Sequence, residues 1–185
     1  MLKKTPKFNF AVIASGPDPA EDDVFDRFYE AGCDDATIAF QNGQIIIDFT
    51  RDAASLDEAI ASAIRDVVKA GAKVERIEPD PLVSLSDMAE RAGLSRAAMT
   101  NYFKGLRAKA FPAPVAKVTS ESPLWNWATV ARWMYEHRRL GRDAAIEAEI
   151  VREANAAVAE GDVRIAQRLK SRARRYAAEL AADGS

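Results

Sequence analysis

At 185 residues and 48% apolar composition, the chain is long enough for one large domain, or two small ones plus an extension. Its net charge of −2, taken over the whole chain, argues against nucleic acid as a partner. No run approaches the ~20 apolar residues needed to span a bilayer, and the start Met1-Leu2-Lys3-Lys4 lacks the apolar stretch of a secretion signal, so neither membrane nor export is expected. Cys33 is the single cysteine, which excludes an intramolecular disulfide and suits a reducing cytoplasm. In chain order, Phe8 to Ala14 predicts a strand and Ser15-Gly16-Pro17-Asp18-Pro19 a turn. Glu21 to Ala31 predicts an amphipathic helix with Val24, Phe25, Phe28 and Tyr29 on its inner side. Ala36–Phe40 and Gln44–Phe49 flank Gln41-Asn42-Gly43, whose Asn-Gly pair signals a hairpin. Ser55 opens a second helix, with Glu58 completing a capping box, running to about Ala70 and ending at Gly71; Lys73–Glu78 is the last strand.

The order βαββαβ over residues 1–80 predicts an α+β domain of the ferredoxin-like kind. Such a domain can bind a small ligand, dimerise by sheet pairing or hold a protein partner, and fold alone does not choose. Asp22-Asp23 and Cys33-Asp34-Asp35 offer carboxylates near a thiol. Acids at a helix start also favour the helix dipole, and a lone Cys is commonly a small buried residue, so no metal or cofactor is expected.

From Ser84 to Lys104 the spacing is that of a helix-turn-helix. Ala89 keeps the inner face of the first helix small, and Gly93 suits the left-handed backbone of the turn. Leu94 plugs the turn, Ser95 can cap the second helix, and Met99 is the apolar side chain that helix must bury. Two helices joined by a glycine turn also occur in plain helical hairpins. The outward face of the second helix, placed at 95–105, favours DNA: Ser95, Arg96, Ala97, Thr100, Asn101 and Lys104 are short, polar and free of acid. Arg suits guanine O6/N7, Asn suits adenine N6/N7, Thr or Ala can touch a thymine methyl, and Lys can reach a phosphate. Phe111-Pro112-Ala113-Pro114-Val115 and Leu124-Trp125-Asn126-Trp127, separated by a turn at Ser120–Pro123, predict a two-stranded wing, and a third helix begins near Ala128. Trp125, Trp127 and Trp133 are expected in the core rather than stacked on unpaired bases.

This succession of helix, turn, helix, "FPAPV" strand, turn, "LWNW" strand and "ATVARWM" helix resembles the winged-helix DNA-binding domains of the MerR superfamily, in particular its small excisionase-like and AlpA-like members. The resemblance covers about residues 82 to 137. It implies major-groove reading by the second helix and backbone or minor-groove contact by the wing. The wing tip, Thr119-Ser120-Glu121-Ser122, departs from the basic tips of many relatives, so Arg107, Lys109 and Lys117 would contact phosphate from its base.

Charge follows the same division. Residues 8–81 carry six basic and sixteen acidic groups, whereas residues 82–142 carry ten basic and four acidic. Positive charge thus accumulates where the motif lies, as phosphate binding requires. Beyond Gly141, two apolar stripes, Ala145 to Val158 and Val163 to Leu180, broken at Gly161-Asp162, predict a helical hairpin over 141–185 that either dimerises or packs back on its own chain. The basic run from Arg164 to Arg175 is a solvated face balanced by glutamates, or an extension of the DNA-contacting surface. The only histidine, His137, has no nucleophile at a motif spacing, and no enzyme is expected. The sequence therefore suggests a cytoplasmic, homodimeric, sequence-specific regulator built from domains at 1–80, 81–140 and 141–185. Its partner is double-stranded DNA: Arg96, Thr100 and Asn101 read base edges, and Ser95, Lys104, Arg107, Lys109 and Lys117 hold the backbone. The alternative is a protein-interaction module, antitoxin-like or scaffold, whose N-terminal domain binds a partner.

Overall fold

The computed structural model describes residues 5–183. Among these it is a mixed α+β chain with seven helices and one four-stranded antiparallel sheet. It divides into two compact units. One comprises residues up to Pro79 together with Ile150–Arg175; the other comprises Asp80–Glu149 with the residues from Tyr176 on. Residues 141–185 are thus shared between the two units.

The first unit runs β1 (Lys7–Ser15), α1 (Val24–Ala31), β2 (Ala36–Gln41), β3 (Gln44–Asp52), α2 (Leu56–Lys69) and β4 (Lys73–Glu78), with sheet order β2-β3-β1-β4. Central β1 and β3 register Phe10 against Phe49, Val12 against Ile47 and Ala14 against Ile45, so the sheet face is apolar at these positions. Helix α2 buries Ala59, Ile60, Ala63, Ile64 and Val67, packing on β1, β3 and β4; α1 packs on α2. The β2–β3 turn has both Asn42 (φ 52°) and Gly43 (φ 73°) in the left-handed region, the conformation that Asn-Gly hairpins favour.

Three details differ from the sequence expectations. Helix α1 begins at Val24, because Asp18 and Glu21 close a turn of their own: the Asp18 N–H donates to the Glu21 carboxylate and the Glu21 N–H to the Asp18 carbonyl, both at 3.0 Å. Only Val24, Phe28 and Ala31 of α1 are buried, whereas Phe25 is 52% and Tyr29 67% exposed. The capping box of α2 is not formed: Ser55 holds the N-cap position without a side-chain bond, and Glu58 instead accepts from Lys170 at 3.4 Å.

Inside this unit Arg51 is buried and uses its whole guanidinium fork. Nε and Nη2 donate to Asp35 (2.9 and 2.8 Å), Nη1 to Asp66 (2.8 Å) and the Ser62 hydroxyl (3.0 Å), and Nη2 also to the Gly32 carbonyl (2.7 Å). Burial opposes the charge, but the two carboxylates outweigh it and raise the Arg51 pKa. The neighbouring Cys33 thiol is pushed up to about 11, first by burial and then by Asp66. It is therefore a protonated core residue, and the described residues hold no group of three or more metal-ligating side chains.

The second unit is built from β5 (Leu82–Val83), α3 (Leu85–Arg91), α4 (Arg96–Phe103), β6 (Trp125–Asn126) and α5 (Trp127–Glu136). Val83, Met88, Ala89, Met99, Tyr102, Trp125, Val130, Ala131 and Met134 form its core. All three tryptophans are buried there, as expected of residues that remove so much apolar area from water. The C-terminal helices α6 (Arg142–Glu160) and α7 (Ile165–Asp183) turn at Gly161, whose φ is 67°. Their stripe residues Ala145, Ile150, Ala154, Ala157, Leu169, Tyr176 and Leu180 are buried within this one chain. Val163, also assigned to the stripe, is 96% exposed. Of the basic run, Arg168 is balanced by acids: it pairs with Glu153 (2.6 Å), Glu160 (2.5 Å) and Asp162 (3.3 Å).

Candidate nucleic-acid interface

The candidate interface centres on the α3–α4 corner. Ser84 and Asp87 form a reciprocal capping box that starts α3, the Asp87 carboxylate accepting the Ser84 N–H at 2.8 Å; those bonds to Ser84 hold its pKa below the ordinary carboxylate value. At the other end Gly93 takes φ 64°, and the Leu94 N–H returns to the Ala89 carbonyl at 2.8 Å, which turns the chain within three residues. Ser95 then caps α4 by accepting from the Ala98 N–H at 3.1 Å. Met99 lies fully buried between the helices.

Helix α4 covers 96–103 rather than 95–105, and its inner face is Ala98, Met99 and Tyr102. Phe103 is 41% exposed, though its ring lies edge-on to Trp125 at 5.2 Å. Of the residues expected on the reading face, Ser95, Arg96, Ala97 and Lys104 are exposed, and Thr100 and Asn101 are half-buried. The Thr100 hydroxyl donates to the Arg96 carbonyl at 2.9 Å, which commits its proton and leaves its methyl group and lone pairs outward. The Ser95 oxygen is likewise engaged in the cap, whereas the Asn101 side-chain amide has no hydrogen bond among the described residues.

The expected two-stranded wing is much reduced. Pro112 and Pro114 carry no N–H, and positive φ at Ala110 (58°) and Lys117 (50°) bends the chain at both ends of the segment. Pairing is confined to Leu124: its carbonyl accepts from Val115 (2.8 Å) and Ala116 (3.1 Å), and its N–H donates to Ala116 (2.9 Å). Trp125–Asn126 pairs instead with Leu82–Val83, ahead of the helix pair, and Trp127 belongs to α5, which Asn126 caps by accepting from the Thr129 N–H. Two indoles replace a strand ladder as the fastening of this loop. Trp125 Nε1 donates to the Pro112 carbonyl (3.0 Å) and Trp133 Nε1 to the Lys109 carbonyl (3.3 Å), while Phe111 packs edge-on to Trp133 at 4.9 Å. Lys109 is therefore positioned through its backbone, with its ammonium group free.

The electrostatics of the unit are carried by cations without acids. Arg96, Lys104, Arg107, Lys109, Lys117, Arg138 and Arg139 are all exposed, and none has a carboxylate within 4.0 Å among the described residues. Arg138 and Arg139 were not assigned to the interface from sequence. The structure brings Arg139 and Arg107 to the same Tyr102 ring, their guanidinium carbons 6.0 and 5.9 Å from its centre. The signal was present in the run His137-Arg138-Arg139 directly after α5. Arg138, Arg139 and Arg142 also line a shallow depression of about 480 Å³. His137 itself is occupied, its Nδ1 2.8 Å from the Trp133 carbonyl oxygen and its ring stacked on Trp133 at 4.0 Å.

The first unit pairs more of its cations, although Lys69, Arg164 and Arg174 are exposed without an acid within 4.0 Å among the described residues. Lys7, Arg27, Arg51, Arg65, Lys73, Arg76, Arg168 and Lys170 all sit in ion pairs. It also carries a groove of about 700 Å³ between α2 and residues 162–170, lined by Ala61, Ile64, Val68, Val163, Ile165 and Ala166. Compared with protein-family models, with curated proteins and with solved structures, the chain matches none.

Proposed function

We propose that this chain is a sequence-specific double-stranded-DNA-binding protein, a transcriptional regulator whose α4 reads the major groove from a MerR-like winged helix-turn-helix. The observation that carries the proposal is the set of seven exposed cations, on the unit that contains α3 and α4, with neither a carboxylate nor a hydrogen-bond acceptor among the described residues. In a chain of net negative charge, most surface cations of the first unit find carboxylates. Cations left without one keep their charge available for phosphate and for counterion release. On α4, Arg96 and Asn101 offer donors for base edges, and Ala97 and the Thr100 methyl offer apolar contact with thymine. Lys104, Arg107, Lys109, Lys117, Arg138 and Arg139 hold the backbone, with Ser95 contributing only what its cap leaves. The single bridge to Leu124 makes the wing a short one.

The strand order β2-β3-β1-β4, with a helix after β1 and another after β3, supports a ferredoxin-like reading of the N-terminal domain. Its groove offers a place for the small ligand or protein partner of a regulator. The protein is read as cytoplasmic and non-enzymatic. No helix among the described residues is long and apolar enough to cross a membrane.

Selection of duplexes from random DNA near physiological salt tests the proposal, with wild type compared against Arg96→Ala/Asn101→Ala. An enriched motif that the variant no longer recovers is expected, with affinity for random duplex falling far less. Asn101→Ala alone should cost about 1–3 kcal/mol at the preferred sequence. Absence of any salt-dependent duplex binding would overturn the proposal in favour of the protein-interaction module.

A further inference from the structure

The four-stranded sheet has two edges, and they are finished differently. On β4, the Asn155 side chain stands in for a neighbouring strand: its Oδ1 accepts the Ile77 N–H and its Nδ2 donates to the Ile77 carbonyl, both at 2.9 Å. On β2 no such cover exists among the described residues. The Thr50 N–H donates to the Asp35 carbonyl, so odd-numbered residues of this strand turn their backbone groups toward β3. The N–H and C=O of Ile38 and Phe40 and the C=O of Ala36 therefore face outward, while the Ala36 N–H is already given to Cys33.

This edge lacks the devices that keep edges from pairing. Ala36-Thr37-Ile38-Ala39-Phe40-Gln41 contains no charge and no proline, and its register with β3 has no bulge. Beside it, the two aromatic side chains of α1 that the core does not take up lie one turn apart. Phe25 packs edge-on to the Phe40 ring at 5.8 Å, and Tyr29 follows it toward solvent.

We propose that β2 pairs antiparallel with β2 of a second copy of this chain, about a two-fold axis at Ile38, joining two four-stranded sheets into one. In that register Ile38 bonds its own counterpart, and the Phe40 N–H meets the Ala36 carbonyl of the second copy, so each outward N–H finds an acceptor. Antiparallel direction also sets Asp34 and Asp35 opposite the neutral Asn42 and Gln41 of the second copy, whereas a parallel arrangement would set acid against acid. The partner that matches the edge in hydrogen bonding and charge is thus the edge itself. Phe40 faces α1, so the two α1 helices approach each other on that face, and Phe25 and Tyr29 gain the cover they lack. The C-terminal stripes, buried within one chain, are not required for this association.

The test uses the full chain without DNA, so its outcome is independent of the DNA-binding proposal. Sedimentation equilibrium at tens of micromolar is expected to give twice the 20.2 kDa chain mass. Thr37 and Ala39 are exposed on the face away from α1, and each opposes the other across the axis as a non-hydrogen-bonded pair, whose close Cα atoms suit a disulfide. T37C/A39C should therefore give a reducible covalent dimer under mild oxidation, while T37C alone should not. Cys33, buried and protonated, does not compete. Tyr29→Glu, at a largely exposed position, should weaken dimerisation by about tenfold with unchanged circular dichroism. A monomer, or a dimer whose double-cysteine variant stays uncrosslinked, overturns the proposal.

Discussion

Removing two of the acid-free cations should change how DNA binding responds to salt by an amount that can be worked out beforehand. Arg107 and Arg139 flank the Tyr102 ring at 5.9 and 6.0 Å and face solvent without a carboxylate. Each phosphate contact contributes about −0.9 to the slope of log K against log salt. The seven cations together set a ceiling near −6, and R107Q/R139Q should make the measured slope shallower by about 1.8. Between about 50 and 200 mM salt, each contact weakens binding by about 3.5-fold, so the variant should lose about twelvefold less affinity over that range than wild type. The fold should survive, because an exposed cation–π contact is worth only about 0.5–1 kcal/mol. Fluorescence anisotropy with a short random-sequence duplex measures the slope. Arg76→Gln is the control, since Arg76 already spends its charge on Glu78 at 2.9 Å. An unchanged slope in a folded R107Q/R139Q, or an equal shift in R76Q, would refute the assignment of these cations to phosphate.

The remaining expectations concern the first unit. Arg51→Met leaves Asp35 and Asp66 facing each other without their shared cation and should cost about 3–5 kcal/mol in urea unfolding; a loss below about 1 kcal/mol would show the network to be incidental. Asn155→Leu strips both partners from the fully buried Ile77 and should cost about 1–3 kcal/mol, with faster hydrogen exchange at the Ile77 amide as its specific sign. Cys33, with its thiol raised to about 11 by burial first, should resist iodoacetamide at pH 8 until the chain unfolds. Because the folded thiol ionises later than the unfolded one, whose pKa lies at about 9, stability should be unaffected below that pH and decline as pH rises toward 11.

What the sequence disclosed was local, and what it hid was relational. Asn42-Gly43 announced its hairpin because only a few residue types accept two successive positive φ values, and Gly93 and Ser95 marked the α3–α4 turn for the same kind of reason. Phe25 and Tyr29 fit the helical period of Val24 and Phe28, yet they lie outside the core, because α1 is only eight residues long and points one face at the sheet. Ser55 and Glu58 had the spacing of a capping box, but a cation more than a hundred positions away took the glutamate. The wing failed as a ladder because prolines that favour extended backbone also remove the donors a ladder needs. Arg51 carried no signal at all, since its partners Asp35 and Asp66 lie on other elements.

Counting charges along the chain points to one third of the sequence but does not separate its partnered cations from its free ones. Of the ten basic residues between 82 and 142, Arg91 turns inward, donating to the Asp80 carbonyl at 2.9 Å and lying over Trp127, and burial lowers its pKa. Arg132 pairs with Glu136 and Glu179, and Arg142 donates to the Ala177 carbonyl at 2.7 Å. These three cations hold the unit together. The other seven remain, and their exposure without acids is a cost to a free protein only in self-repulsion, which solvent and salt screen. A chain that pairs most cations of one unit, and leaves seven in the other without a carboxylate partner among the described residues, keeps that charge available on α4, in the loop after it and at the end of α5. On that ground Arg138 and Arg139, which no motif would have selected, join Arg107 as contacts to test.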